Sequence, residues 1–235
     1  MLTEENTKIS ECDFSSFYFG TDDDQFTIIE QFNEWYHEPL KGGYNQFSMP
    51  LTSAPLSNVK LIHPDFHTET ELINLSSYNY LGIATRKEVI ESAKEALDIY
   101  GMGASGSPIL SGTFQIGIDF AKQLAEFKKK EAAIIFPTGY STNLGFISAI
   151  MRPGDTILLD QFAHASIVDG AILSRAEIVY FKHNNSIDLE KKISTIKGRK
   201  LIVVEGVYSM DGDMCPLDSI VAVAKKYDAK IMLDE

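Results

Sequence analysis

The sequence predicts an α/β fold with a parallel-dominated sheet flanked by helices. From Glu131 onward, short apolar runs rich in β-branched residues alternate with segments of helical periodicity, which is the pattern of repeated βα units. The final run, Lys230 to Asp234, is an apolar strand with a carboxylate at its tip. An apolar content of 44% in 235 residues is ordinary for a globular protein and supplies material for a core.

Residues 1 to 70 are richer in polar, aromatic and proline residues, and we interpret them as a partly irregular N-terminal arm. One helix is predicted around Phe26 to Tyr36, with Asp22, Asp23 or Asp24 as its candidate N-cap. Residues 71 to 235 are predicted to form the domain that contains the sheet.

Two amphipathic helices are predicted before the first βα unit. Arg86 to Tyr100 places its apolar residues on one face and ends at Gly101, which is a typical helix stop. A glycine-rich segment, Gly101 to Gly112, leads to the second helix. The apolar positions of that helix are Ile116, Phe120, Leu124 and Phe127.

The βα units follow in order. Ala132 to Phe136 is interpreted as a buried strand that Pro137 ends, ahead of a helix through Leu144 to Ile150. A second helix is predicted over the apolar residues of 167–172, and a third begins near Pro216 and runs through Tyr227. The other strands are predicted at Thr156 to Leu159, Ile178 to Phe181, Leu201 to Val204 and Lys230 to Asp234.

Composition and charge exclude several classes of protein. The formal charge of −12 opposes binding to nucleic acid or anionic lipid, because such partners need clustered lysine and arginine. The basic run Lys128 to Lys130 follows an amphipathic segment, where cations complement the helix dipole. Cys12 and Cys215 lie outside any Cys-x-x-Cys pair, so we expect neither a disulfide framework nor a metal site. No apolar run approaches the roughly 18 residues of a transmembrane span and the N-terminus is acidic, so we expect a cytoplasmic protein.

The segment Thr138 to Asn143 follows a predicted strand and opens a helix. This arrangement presents N–H groups and a positive dipole end to an anion such as phosphate, with Gly139 and Tyr140 at the helix start. The alternative is an ordinary βα turn that Ser141 or Thr142 caps. Within this segment, no Gly-x-Gly-x-x-Gly or P-loop motif supports a nucleotide.

Three further polar residues lie at the tip of a predicted strand or just after one, and are expected at the same edge of the sheet. His164 begins a helix and can stack on a flat ligand, or it can simply cap the helix. Ser209 lies in a loop, where a turn or capping role is the alternative. Asp234 can pair with a cationic ligand atom, or it can bind a backbone N–H or an arginine.

A phosphate-type turn, a stackable ring, a hydroxyl and an anion at one edge fit pyridoxal phosphate. The turn suits its phosphate, the ring suits its pyridine face, and the hydroxyl suits its phenolic oxygen. A carboxylate within hydrogen-bond reach shifts the pKa of a cationic group by about 1 to 3, enough to keep the pyridine nitrogen protonated. The protonated ring then accepts electrons from the substrate.

Several strings resemble, in the same order, those of the α-oxoamine synthases, which are fold type I pyridoxal phosphate enzymes. The resemblance runs from about Asn74 to Glu235 and implies that residues 71 to 235 are the N-terminal part of the cofactor-binding large domain, incomplete at the C-terminus. The matching strings are Asn74 to Gly82, the stretch through Ser111 to Thr113, Gly139-Tyr140 with Asn143, His164 to Ser166, Glu205 to Gly212, and Met232 to Glu235.

The resemblance also implies a role for each matching residue. Gly139 and Tyr140 would contact pyridoxal phosphate near its phosphate. His164 would stack on the ring and Ser209 would hydrogen-bond the phenolic oxygen. Asp234 would pair with the pyridine nitrogen, which makes His164 and Asp234 the candidate catalytic residues.

The implied reaction is condensation of an amino acid with an acyl thioester, with loss of CO2. The thiol would belong to coenzyme A or to an acyl carrier protein, and Asn79 would lie near the substrate. Relatives complete the site across a subunit interface, so a homodimer is expected of the intact protein.

The Schiff-base lysine of the family lies beyond the position that matches Glu235, and no lysine here stands at that position. We therefore expect the 235-residue chain alone to bind cofactor weakly and to be inactive, because the covalent anchor is missing. Two alternatives stay open. One is a non-catalytic partner subunit of such an enzyme, and the other is a different fold type I enzyme such as an aminotransferase.

Overall fold

The computed structural model describes residues 26–37, 50–62 and 68–235. The chain divides between Gly112 and Thr113 into two compact units. The predicted arm of residues 1 to 70 lies partly outside the described residues and stays a prediction.

The first unit contains helices and one small antiparallel sheet. The predicted helix at Phe26 to Tyr36 is confirmed as α1, whereas its candidate caps, Asp22 to Asp24, lie outside the described residues. The predicted helix before Gly101 is confirmed as α2. The elements are α1 (Thr27–His37), β1 (Asn58–Ile62), β2 (Glu69–Ile73), a 3₁₀ turn (Ile83–Thr85), α2 (Lys87–Tyr100) and α3 (Pro108–Ser111).

The second unit holds a four-stranded sheet, all of whose neighbouring strands pair in parallel in the order β4-β3-β5-β6. Helices cover both faces of this sheet, which confirms the predicted fold class. Its elements are α4 (Gln115–Phe127), α5 (Gly139–Ile150), β3 (Thr156–Asp160), α6 (Ala165–Ser174), β4 (Glu177–Phe181), α7 (Ser186–Ile193), β5 (Lys200–Glu205), α8 (Leu217–Lys226) and β6 (Lys230–Asp234).

One predicted strand is wrong. Residues Ala132 to Phe136 form no strand, and none of the strands in the described part of the chain pairs with them. Ile134 is 80% exposed. A β-branched apolar run fits a pleated, half-buried surface, and it becomes a strand only where a neighbouring strand supplies hydrogen-bond partners.

Two apolar clusters lie on opposite faces of the sheet, because successive side chains of a strand point to opposite sides. On one face Leu158 and Ile202 pack with residues of α7 and α8. On the other, Ile157 and Val203 pack with residues of α5 and α6. The strands are buried on both faces, which explains why they are continuously apolar in the sequence.

The helix pair α5 and α6 depends on a glycine. A Cβ added to Gly170 would lie 3.0 Å from the Asn143 carbonyl oxygen and 3.2 Å from the Ile147 Cβ. The two helices therefore pack backbone against backbone at this point, which positions the residues at the start of α5 relative to those of α6.

We expect Gly170→Ala to lower the free energy of unfolding by about 1–3 kcal/mol, because the new methyl group overpacks the helix contact. The measurement is urea denaturation followed by circular dichroism. The matched control is Gly117→Ala in α4, where the nearest atom would lie at an ordinary 3.8 Å. Gly117→Ala should raise the free energy of unfolding by up to about 1 kcal/mol, because alanine favours the helical conformation more than glycine does. Equal midpoints for Gly170→Ala and wild type would contradict the prediction.

None of the helices in the described ranges combines the length and the apolar character that crossing a bilayer requires.

Candidate functional site

The start of α5 is a capped helix end that faces open space. Thr138 Oγ1 accepts a hydrogen bond from the Ser141 N–H at 3.0 Å, and Ser141 Oγ accepts one from the Thr138 N–H at 3.2 Å. Thr138 is thus the cap, and Ser141 completes a capping box. A Cβ added to Gly139 would meet no atom within 4 Å. An anion could therefore approach the positive end of the helix.

Tyr140 and His164 meet next to this helix start. Their ring centroids lie 6.3 Å apart in an edge-on arrangement, and the Tyr140 hydroxyl donates to the Asp169 carboxylate. His164 is the N-cap of α6, since its Nδ1 accepts a hydrogen bond from the Ser166 N–H at 3.2 Å. The capping role proposed from the sequence is real. This capping bond leaves the imidazole available to a ligand, because the His164 side chain also lines a cavity.

A hydrogen-bonded series connects Asp234 to His164. The buried Asn143 amide donates to Asp234 Oδ2 at 2.8 Å and to Ser166 Oγ at 3.0 Å. Ser166 Oγ lies 2.7 Å from His164 Nδ1. The carboxylate at the tip of β6 is thus oriented by the same network that orients the imidazole.

The cavity beside His164 has a volume of about 430 Å³. Ser209 lines it from a turn after β5, and Glu205 lines it from the end of that strand. Glu205 Oε1 accepts a hydrogen bond from the His164 N–H at 2.5 Å. Glu205 and Asp234 are register partners on adjacent strands, so Asp234 lies one strand away from the cavity wall.

The structure therefore brings five of the six predicted site residues to one edge of the sheet: Gly139, Tyr140, His164, Ser209 and Asp234. The sixth, Asn79, belongs to the first unit. There its side chain donates to the Pro55 carbonyl at 3.2 Å and accepts from the Ala84 N–H at 3.2 Å.

Sequence reasoning gave no role to Asn143 and missed a second polar cluster at this edge. His183, just after β4, lies 2.8 Å from carboxylate oxygens of Asp160 and of Asp213. Asp160 also raises the pKa of Tyr208, although burial of the phenol contributes more. The available signal was position, since Asp160 ends β3 and His183 follows β4 at the same edge as Ser209.

A comparison with protein families identifies residues 70–235 as matching the family model for aminotransferase class I and II. The chain belongs to this family. Among curated relatives, it is 48% identical over 162 residues to 8-amino-7-oxononanoate synthase of Lysinibacillus sphaericus, covering 68% of this chain and 42% of the relative. It is 44% identical over 167 residues to serine palmitoyltransferase of Sphingomonas paucimobilis, covering 70% and 40%. These relatives are α-oxoamine synthases, so the predicted resemblance is confirmed.

Solved structures agree. A serine palmitoyltransferase from S. paucimobilis with a bound pyridoxal phosphate–myriocin aldimine superposes with a TM-score of 0.82 at 36% identity. The match covers 90% of this chain and 53% of that one. The enzyme from Sphingomonas wittichii gives a TM-score of 0.78 at 38% identity, with the same coverage. The chain thus spans about half the length of the solved relatives, and less than half that of the curated relatives named above.

Removal of the Asn143 amide should weaken the fold measurably. In Asn143→Ala the Asp234 carboxylate and the Ser166 hydroxyl lose a buried donor, so we expect a loss of about 1–3 kcal/mol in unfolding free energy. Urea denaturation measures it. The matched control is Ser148→Ala on the same helix, whose hydroxyl donates to the Leu144 carbonyl at 2.6 Å. Ser148→Ala should lose less unfolding free energy than Asn143→Ala. A larger loss in Ser148→Ala would refute the stabilising role assigned to the Asn143 amide.

Glu205 should make stability depend on pH. Burial raises the pKa of its carboxyl group. The hydrogen bond from the His164 N–H lowers this pKa and the negative charge of Asp234 raises it, so the net shift is upward. The folded state therefore favours the protonated acid. That stabilisation is present below the unfolded pKa of about 4.3 and is lost as pH rises through the folded pKa.

The test compares wild type with Glu205→Gln, which keeps an acceptor oxygen for the His164 N–H. We expect the unfolding free energy of the wild type to fall relative to that of the variant between pH 4.5 and pH 8, measured by urea titrations at each pH. Parallel pH profiles for the two proteins would show that burial of Glu205 is not coupled to its ionisation.

Proposed function

We propose that the protein containing this chain is a pyridoxal phosphate-dependent acyltransferase of the α-oxoamine synthase type. It would condense an amino acid with an acyl thioester and release CO2 and a free thiol. The observation that carries the proposal is the hydrogen-bonded series from Asp234 through Asn143 and Ser166 to His164, next to a cavity that Ser209 also lines.

The residues at this edge fit pyridoxal phosphate. The exposed start of α5 at Gly139 and Tyr140 suits a phosphate, because helix N-terminal N–H groups and the helix dipole favour an anion. The imidazole of His164 offers a ring face in the cavity, and Ser209 offers a hydroxyl to the phenolic oxygen. Asp234 offers an anion for the pyridine nitrogen.

When bound, pyridoxal phosphate supplies an electron sink for the bonding electrons released at the substrate α-carbon. The role of Asp234 is to hold a proton on the pyridine nitrogen by its negative charge. Asn143 fixes the orientation of that carboxylate through the 2.8 Å hydrogen bond to Oδ2. His164, held in turn by Ser166 and Glu205, keeps its ring in a constant orientation and excludes water from one face.

Several further properties extend this proposal. The relatives use an amino acid and an acyl substrate, which supports the same two substrate classes for this protein. The acyl group is proposed to be a thioester of coenzyme A or of an acyl carrier protein. Asn79 is proposed near the substrate, the assembly is proposed to be a homodimer, and the location is proposed to be the cytoplasm. The two alternatives are a non-catalytic partner subunit and an aminotransferase.

The test uses the full-length gene product that contains these residues. Supplied with pyridoxal phosphate, it should release CO2 and thiol from amino acid and acyl thioester pairs, whereas an aminotransferase would convert the amino acid to its oxo acid without a thioester. A lysine in the reading frame shortly after Glu235 would favour an active enzyme over a partner subunit. Absence of turnover across several acyl donors would refute the proposed activity.

Asp234→Asn should lower the rate of thiol release by roughly 10- to 1000-fold, because loss of the negative charge lowers the pKa of the pyridine nitrogen by about 1 to 3. Steady-state assays at saturating cofactor measure this effect. The matched control is Glu177→Gln, which removes a carboxylate from the opposite edge of the same sheet, at the first residue of β4. The control should keep wild-type turnover, and an equal loss in both variants would contradict the assignment of Asp234.

A further inference from the structure

His183 is held between two carboxylates that come from different parts of the chain. Its Nδ1 lies 2.8 Å from Asp160 Oδ1 at the end of β3, and its Nε2 lies 2.8 Å from Asp213 Oδ2 in the loop between β5 and α8. The His183 side chain is 15% exposed and that of Asp160 is fully buried. The ring therefore joins three separate βα loops of the second unit.

The hydrogen bonds identify the charge state of this ring. Asp160 also accepts from the Phe162 N–H and the Asn184 N–H, each at 2.9 Å, which suits an ionised carboxylate. An ionised carboxylate only accepts hydrogen bonds, so a ring nitrogen facing one must donate. The Asn184 amide nitrogen also lies 3.2 Å from Nε2, but it donates to Asp213 Oδ2 at 2.7 Å. With a carboxylate on each side, both ring nitrogens therefore donate, as in an imidazolium.

The same ring contacts both walls of the cavity. Phe162, on the His164 side, stacks on His183 with ring centroids 4.5 Å apart. Tyr208, on the Ser209 side, packs edge-on against it, also at 4.5 Å. Phe162, His164, Tyr208 and Ser209 all line the cavity, whereas His183 lies behind them.

The backbone strengthens both connections. On one side the Asp160 carbonyl accepts from the Ala163 N–H at 3.0 Å, directly before His164. On the other, the Tyr208 N–H donates to the Asp213 carbonyl at 3.0 Å, directly before Ser209. Each carboxylate partner of His183 thus belongs to the loop that carries one wall.

We infer that His183, as an imidazolium between Asp160 and Asp213, is a positioning residue that sets the distance between the His164 and Ser209 walls of the cofactor cavity. This inference rests on the proposed function, because it assigns the cavity to pyridoxal phosphate. His183 acts through Phe162 and Tyr208 and is not placed in contact with the cofactor.

The surroundings of His183 give the direction of its pH dependence. The groups that face it are Asp160 from β3, its neighbour Asn184, and Asp211, Asp213 and the Tyr208 ring from the β5–α8 loop. Burial is the largest single effect and lowers the pKa of His183, but the hydrogen bonds to Asp160 and Asp213 and the negative charges of these two carboxylates together raise it more, so the net shift is upward. The stabilisation from the charged pairs of His183 with Asp160 and Asp213 is fully present below the unfolded pKa of about 6.5 and is lost as pH rises through the folded pKa.

The first test measures pyridoxal phosphate affinity of the full-length protein by absorbance titration, from pH 6 to pH 9. We expect His183→Gln to weaken binding by about 10- to 100-fold at pH 7, the fold-change for loss of a hydrogen bond between charged groups. Wild-type affinity should fall more steeply with rising pH than that of the variant, which lacks the titrating imidazole. Asp213→Asn, which removes only the partly exposed partner, should give a smaller loss in the same direction.

The control for stability is Ile193→Val, a mild core substitution in the cluster on the α7 and α8 face. It should lower the unfolding midpoint yet leave cofactor affinity and its pH profile unchanged. If Ile193→Val weakens binding as much as His183→Gln does, the effect is general destabilisation and the inference is overturned.

A second readout needs no cofactor. Nitrogen-15 spectra of labelled histidine should show both His183 ring nitrogens protonated at pH 6.5, and amide exchange of the turn around Ser209 should accelerate in His183→Gln. A neutral ring, or unchanged exchange, overturns the inference even if the cofactor binds. Failure of the wild type to bind pyridoxal phosphate, with both of these results as expected, would refute the proposed function alone.

Discussion

The site depends on the parallel pairing of β3, β4, β5 and β6. In a parallel sheet every strand ends at the same edge, so the topology alone brings the loops that follow the strands together there. The register fixes this arrangement residue by residue, since Asp160 pairs with Phe181 and Glu205 pairs with Asp234. A slip of one residue would reverse the inward and outward faces of a strand and move the polar tip out of the site.

The same pairing explains why β3, β4, β5 and β6 were predictable from the sequence. The central strands β3 and β5 are buried on both faces, so their apolar runs are continuous and bounded by turns. The elements that the sequence did not predict lack such a burial pattern. The β1–β2 hairpin has a polar, exposed strand, Glu69–Ile73, which carries no burial signal. Helix α7 is short and charged, with only Leu189 and Ile193 buried, so its periodicity is weak.

The site was predictable to the extent that topology alone determines it. Gly139, His164 and Ser209 each follow a strand, real or predicted, and Asp234 is the last residue of β6, so position along the chain was enough to propose them. Asn143 and His183 were given no role because each acts through partners that are distant in the sequence. Asn143 is 91 residues from Asp234, and His183 is 30 residues from Asp213. A single sequence does not show which distant residues form such pairs. The periodicity of a helix, in contrast, can be read from neighbouring residues.

The hydrogen bond between Asn143 and Asp234 also has a consequence for biosynthesis. A ribosome adds about 5–20 residues per second, so roughly 5 to 20 s separate the synthesis of these two side chains. During that interval α5 and α6 can pair, while the buried amide of Asn143 has no carboxylate to bind. The site therefore cannot be completed until β6 has been synthesised, and until then water must satisfy the hydrogen bond that the Asn143 amide later donates to Asp234.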